Sequence, residues 1–105
     1  MSFFIQIATT TSSPEEAEQI ALALVERRLV ACAQVSGPVT SVYRWQGNLE
    51  QGNEWHCTLK TRESLFEQVT AAIRALHSYK CPEIVATRIE MVSADYEAWL
   101  EAELR

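Results

Sequence analysis

The order in which two hydrophobic periods alternate along the chain constrains its fold more than any other feature. Alternation with a period of two predicts strands, whereas a period near 3.6 predicts amphipathic helices. The sequence predicts a strand, a helix, two strands, a helix and a strand, followed by a short additional C-terminal helix. This βαββαβ order is the ferredoxin-like α+β arrangement, in which right-handed crossovers place both long helices on one face of a four-stranded sheet.

Local residue patterns set the expected limits of these elements. The predicted strand segments are residues 3–11, 29–35, 39–46, 54–61 and 83–89, and the predicted long helices are 14–29 and 63–76. Ser13, Pro14 and Glu16 have the pattern of a helix start with a capping box. Ser93 is expected to cap the final helix. The polar residues 47–53 are expected to form the loop of a long antiparallel hairpin.

Length and charge restrict the class of protein. The chain has 105 residues, which predicts a single domain over residues 1–105. Its net charge of −5 argues against general nucleic-acid binding and against adhesion to anionic membranes. The three cysteines are an odd number, and the start of the chain has no basic segment typical of a secretory leader. A cytoplasmic location is therefore expected.

The chemistry-bearing residues favour a binding protein over an enzyme. The sequence contains no Gly-rich phosphate loop, no Cys-x-x-Cys and no Gly-x-Ser-x-Gly, so no conventional enzyme class is indicated. His77, Cys81 and Glu83 lie close together around one short loop and are all ligand types for soft or borderline divalent metals. The structural alternative is that His77 interacts with the last carbonyls of a helix.

Aromatic residues concentrate on the predicted hairpin. Tyr43 and Trp45 lie on one arm and Trp55 on the other. A four-stranded sheet with two covering helices leaves edges and surface exposed, and long strands carrying tryptophan usually pair with a partner. The hairpin is therefore expected to form subunit contacts, with packing inside the same sheet as the alternative.

Several short motifs, in order along the chain, carry a family resemblance. They are Leu29-Val30-Ala31-Cys32-Ala33, Ser41-Val42-Tyr43-Arg44-Trp45-Gln46-Gly47, Leu59-Lys60-Thr61-Arg62, His77-Ser78-Tyr79 before Pro82-Glu83-Ile84, and Tyr96-Glu97-Ala98-Trp99-Leu100. With these motifs the chain resembles the CutA divalent-cation tolerance family over essentially its whole length. The resemblance implies a non-enzymatic homotrimer joined through the long hairpins, similar in architecture to the PII signalling proteins. It also implies an association with tolerance of copper and other divalent cations.

The family's copper ligands transfer to this chain only in part. The position of the first-strand cysteine falls at about Ala8, the loop histidine matches His77, and the Pro-Glu step matches Glu83. Cys81 is the thiolate expected to replace the missing cysteine, and Lys80 introduces a positive charge that opposes a divalent cation. The resemblance therefore implies Cu(II) or another divalent cation as a non-obligatory ligand of His77, Cys81 and Glu83.

Three functions follow from these residues. The first is a trimeric metal-binding protein of the metal-ion response, with Tyr43 and Trp45 walling the cleft. The second is a PII-like small-molecule sensor, in which Lys60, Arg62, Tyr79 and Lys80 would bind an anionic ligand. The third is a trimer with a purely structural, interacting role and no physiological metal.

Overall fold

The computed structural model describes residues 3–105, and its elements follow the predicted order. The strands are β1 (Phe4–Thr11), β2 (Cys32–Trp45), β3 (Asn48–Arg62) and β4 (Val85–Ile89), and the helices are α1 (Pro14–Glu26), α2 (Phe66–Leu76) and α3 (Ala94–Glu103). They form one four-stranded antiparallel sheet in the order β2-β3-β1-β4. The ferredoxin-like prediction with an added C-terminal helix is therefore confirmed, and β2 and β4 are the edge strands.

Helix α1 begins as the sequence predicts but ends earlier. Ser13 Oγ accepts a hydrogen bond from the backbone N–H of Glu16 at 3.2 Å, and Pro14 is the first helical residue. The helix ends at Glu26 because Arg28 adopts a left-handed φ of 59°, which turns the chain back toward the sheet. The predicted end at residue 29 is too late, since the apolar pattern continues past the exposed turn into Leu29 and Val30, which are buried.

The turn of the hairpin is much shorter than predicted. Trp45 pairs with Asn48, so Gln46 and Gly47 alone form the turn, with φ values of 51° and 83°. Two successive positive φ values match the right-handed twist of a two-residue hairpin turn. Residues 48–53, expected as a loop, instead extend β3. Their polar composition is no obstacle, because this part of the strand is exposed to solvent.

An irregularity divides β2 into two parts. The register between β2 and β3 shifts between Ser36 and Val39, around Gly37 and Pro38. Gly37 has a φ of +147°, and a Cβ built there would lie 2.7 Å from Trp55 Cδ1. A side chain at this position is excluded by both the backbone conformation and the indole, so glycine is required for the bend.

The hydrophobic core lies between the sheet and the helices. Ile7 and Leu59 face each other across β1 and β3, and both are fully buried. Ile20 from α1, Ile73 from α2 and Leu100 from α3 are buried in the same cluster. Packing of all three helices on the sheet therefore fixes the position of the segment that follows α2.

Helix α3 is attached by polar contacts as well as by its buried leucine. Arg62 donates to Glu101 Oε2 at 2.9 Å and to the carbonyl oxygen of Arg105 at 2.5 Å. Ser93 occupies the N-cap position, but its hydroxyl donates to Asp95 Oδ1 at 2.9 Å instead of accepting from the helix backbone. The prediction of a serine cap is therefore right in position and wrong in mechanism.

Candidate functional site

A cleft of about 620 Å³ opens between the hairpin and the loop after α2, residues 77–84. We call it the hairpin cleft. Among the residues that line it are Tyr43, Trp45 and Glu54 from the hairpin and Tyr79, Lys80, Cys81 and Glu83 from the loop. Its volume is that of a small-molecule site.

His77 holds the loop in place. Its Nε2 lies 2.7 Å from the carbonyl oxygen of Thr10, and its Nδ1 accepts a hydrogen bond from the backbone N–H of Tyr79 at 3.0 Å. These partners define the neutral tautomer that carries its proton on Nε2. Because the side chain is fully buried and uses both nitrogens, ligation of a metal by His77 would require breaking one of these hydrogen bonds.

Glu16 supports the same loop from the start of α1. Its Oε2 accepts a hydrogen bond from the backbone N–H of Ser78 at 3.2 Å, and its Oε1 lies 3.9 Å from His77 Nδ1. The capping-box role predicted for this glutamate is thus replaced by a contact across 62 residues of sequence. Among the residues that the structure describes, Oε1 is buried without a hydrogen-bond partner.

Tyr79 connects the loop to the hairpin. Its hydroxyl donates to Glu54 Oε2 at 2.8 Å, and Glu54 is only 9% exposed. Burial raises the pKa of the Tyr79 phenol, and the hydrogen bond to Glu54 and the negative charge of that carboxylate raise it further. Tyr79 therefore stays protonated and acts as a donor well above neutral pH.

The predicted metal ligands are only partly brought together. Cys81 and Glu83 both line the hairpin cleft, and Cys81 is exposed. His77 is turned toward Thr10 and Glu16 instead. Within residues 3–105, no three His, Cys, Asp or Glu side chains are grouped so that they could hold a metal ion. A complete centre of His77, Cys81 and Glu83 is therefore not formed within one chain.

The other predicted site residues separate into two groups. Tyr43, Trp45 and Tyr79 line the hairpin cleft, whereas Trp55 is half-buried against the core. Lys60 does not line the cleft, and its Nζ donates to Gln34 Oε1 at 3.2 Å.

Arg62 also lies away from the cleft, where it contacts α3. The anion-binding pocket expected from Lys60, Arg62, Tyr79 and Lys80 is therefore not assembled, because Lys60 and Arg62 of β3 lie on a different part of the surface. Of those four residues, only Tyr79 and Lys80 line the cleft.

Glu54 is the cleft residue that the sequence analysis missed. It stands on a strand beside a tryptophan, at a position where an acidic residue is ordinarily solvated. Only the pairing of β3 with β2 and the approach of the loop after α2 make it buried. With Glu54 included, the described residues that line the cleft carry two carboxylates, on Glu54 and Glu83, and one ammonium, on Lys80.

No helix of residues 3–105 is both long and apolar enough to cross a lipid bilayer.

Comparisons with known proteins agree with this architecture. The family model described as CutA1 divalent ion tolerance protein matches residues 5–103. The divalent-cation tolerance protein CutA of Thermus thermophilus is 40% identical over 94 residues, which cover 90% of this chain and 91% of that protein. Human protein CutA is 34% identical over 91 residues, 87% of this chain, and this match spans only 51% of the human protein.

The solved structures give the same result. The structure of the divalent cation tolerance protein CutA1 from Thermus thermophilus has a TM-score of 0.94 and 37% identity to this chain, covering 97% of this chain and 99% of that one. Agreement in the family model, in sequence over nearly the whole length and in fold leaves one assignment. The chain belongs to the CutA1 divalent ion tolerance protein family.

Proposed function

We propose that this protein binds divalent cations, with Cu(II) as the first ion to test, and acts as a cytoplasmic homotrimer in the response to metal ions. It is not an enzyme, as is the rule in its family. One observation carries the proposal: the Cys81 thiol and the Glu83 carboxylate line the same cleft.

The donor types support this proposal. Thiolate is a soft ligand that favours copper and zinc, and a carboxylate oxygen completes a mixed set suited to borderline divalent ions. One chain offers only these two donors in the cleft, because His77 is engaged with Thr10 and Tyr79. Further ligands would therefore come from solvent or from another subunit, and the positive charge of Lys80 would limit the affinity.

The edges of the sheet support self-association. Among the described residues, both β2 and β4 have an unpaired side, and the distal hairpin, residues 42–53, carries Val42 and Leu49 at 61% and 69% exposure. Open edges with apolar side chains favour pairing with another chain, and a closed ring of identical subunits removes the open edges. A trimer joined through the hairpin is the assembly we propose.

Native mass spectrometry with and without equimolar Cu(II), in chelator-free buffer, tests both parts. We expect a trimer that takes up three copper ions. Cys81→Ser should lower the copper affinity by roughly tenfold or more because it removes the thiolate. Cys32→Ser is the matched control, since Cys32 is also partly accessible but lies outside the cleft. Unchanged copper uptake by Cys81→Ser would refute the proposed ligand.

The role of His77 can be read from the electron paramagnetic resonance of bound Cu(II). A histidine ligand adds nitrogen hyperfine splitting to the copper signal, whereas sulfur and oxygen ligands do not. Splitting that disappears in His77→Gln would mean that the buried side chain leaves its two hydrogen bonds to ligate. The contacts of His77 with Thr10 and Tyr79 favour the other result, a copper signal without nitrogen splitting.

The hairpin cleft also favours a second candidate, a small-molecule sensor of the PII type. A volume of about 620 Å³ exceeds what a metal ion needs and falls in the range of small-molecule sites. Thermal unfolding with candidate ligands separates this function from a purely structural trimer, because a ligand that binds only the folded state must raise Tm. A Tm that no ligand changes would favour the structural role.

A further inference from the structure

We propose that the hairpin cleft binds a small organic cation, namely a protonated amine attached to a flat apolar ring. This inference goes beyond metal binding, because it uses the aromatic walls and Glu54 and not the Cys81 thiol. It also reverses the sign of charge that the sequence predicted for a small ligand.

The walls of the cleft are aromatic on both sides. Tyr43 and Trp45 from the hairpin are each 45% exposed, and Tyr79 from the loop is half-buried. Aromatic ring faces attract cations, and tryptophan does so most strongly. The same faces stack with a flat ring, so these three side chains suit a ligand that carries both features.

Glu54 supplies a negative charge that no residue in the described part of the chain neutralises. The residue is 9% exposed, and among residues 3–105 no Lys, Arg or His forms a salt bridge with it. Its Oε2 accepts one hydrogen bond, from Tyr79, while an ionised carboxylate accepts several. A buried carboxylate ordinarily has a positive partner. A ligand ammonium in the cleft would provide that partner.

The other charges in the cleft also favour a cationic ligand. Glu83 adds a second carboxylate, and Lys80 is the one basic residue among the described lining residues. Lys80 is exposed, so its ammonium can extend into solvent on its flexible stem. An anion would therefore meet two carboxylates and one mobile ammonium, whereas a cation meets a favourable balance.

Calorimetric titration with benzylamine tests the proposal, with benzyl alcohol and benzoate as a neutral and an anionic probe of similar shape. We expect benzylamine to bind more tightly than either probe and to shift the indole N–H signal of Trp45 in the NMR spectrum. Glu54→Gln should weaken benzylamine binding by roughly tenfold or more and leave benzyl alcohol unchanged, since only the charge-assisted contact is lost. The glutamine oxygen can still accept from Tyr79.

Two further variants keep the test decisive. Glu97→Gln removes an exposed charge on α3, outside the cleft, and should leave benzylamine binding unchanged. If Glu54→Gln does not fold, Trp45→Leu, at an exposed position, should weaken benzylamine binding by about fivefold through the loss of the ring face.

Equal binding of the three probes would overturn the proposal. Full retention of benzylamine affinity in folded Glu54→Gln, or in Trp45→Leu where Glu54→Gln does not fold, would overturn it as well. If a second copy of the chain filled the cleft, benzylamine would leave the indole N–H signal of Trp45 unmoved. That result would also overturn the proposal.

The metal proposal and this one fail independently. Cys81→Ser should lose copper and keep benzylamine, whereas Glu54→Gln should lose benzylamine and keep copper. Loss of both ligands in Cys81→Ser would mean that benzylamine binds at the metal site and would contradict an amine site built on Glu54.

Discussion

Strand β3 passes through two regions of opposite character. Its C-terminal part lies between β1 and β2 beneath the helices, where Cys57, Leu59 and Thr61 are fully buried. Its N-terminal part pairs only with β2, and the distal hairpin, residues 42–53, is exposed throughout. One region is held by burial, and the other by backbone pairing and a tight turn.

The difference shows which region is available for function. Side chains in the covered region are committed to the core, so their exchange costs stability. Side chains of the distal hairpin stabilise little within one chain, so Tyr43 and Trp45 can face the cleft or a partner. Glu54 lies at the boundary, because it is buried by Tyr79 and not by the helices.

The largest expected effect tests the covered region. Leu59→Ala should lower the free energy of unfolding by about 2–5 kcal/mol because it leaves a cavity in the core. Leu22→Ala, at a position of α1 that is 71% exposed, is the matched control and should change it by less than about 0.5 kcal/mol. Chemical denaturation measures both. Equal losses would contradict the assignment of Leu59 to the core.

The boundary between the regions depends on a glycine. Gly37→Ala should cost roughly 1–3 kcal/mol of unfolding free energy, since its φ is +147° and its Cβ would meet Trp55. Gly52→Ala serves as the control, because a Cβ at Gly52 meets nothing within 4 Å. A Gly37→Ala protein as stable as Gly52→Ala would mean that the bend tolerates a side chain.

The hydrogen bond between the loop after α2 and the hairpin should have an effect no larger than that of Gly37. Tyr79→Phe removes the donor to buried Glu54 and should cost about 1–3 kcal/mol in thermal or chemical unfolding, with exposed Tyr43→Phe near zero. Because the pKa of Tyr79 is raised in the native state, this stability is fully present below the ordinary tyrosine value and is lost as pH rises from that value through the raised pKa. Ultraviolet absorbance should show one tyrosine that ionises late.

The smallest expected change in stability comes from the buried cysteine Cys57. It appears only at alkaline pH. Burial raises the pKa of Cys57 from 9.0 to about 11, so its contribution to stability is retained below pH 9 and lost toward pH 11. At pH 8 a thiol reagent should label exposed Cys81 first and Cys57 only through unfolding. Mass spectrometry of the labelled peptides gives the order, and early labelling of Cys57 would show that the core opens locally.

Much of the fold could be predicted from local signals. The start of α1 follows from Ser13 and Pro14, and the βαββαβ order follows from the alternation of hydrophobic periods. The hairpin itself could be predicted, but its extension over residues 48–53 could not, because strands exposed on both faces need no apolar alternation. Of the two turn residues, Gly47 alone falls in the predicted loop, and Gln46 falls at the end of a predicted strand.

The candidate site shows the same limit. The sequence pointed to the loop after α2 and to Tyr43, Trp45 and Tyr79, all of which line the cleft. It grouped His77 with Cys81 and Glu83 by proximity along the chain, but His77 turns to Thr10. It also missed Glu54, whose burial depends on residues far away in sequence.

The sequence by itself determined the order of the elements, the residues of the core and the family, because periodicity, caps and motifs are local properties. Only the tertiary structure decided which side chains meet in the cleft and which charges remain there without a partner. Those relations depend on sheet order, on the register of β3 and on the approach of a loop to a hairpin across the fold. The sign of the charge that the cleft presents to a ligand is therefore a property of the folded chain.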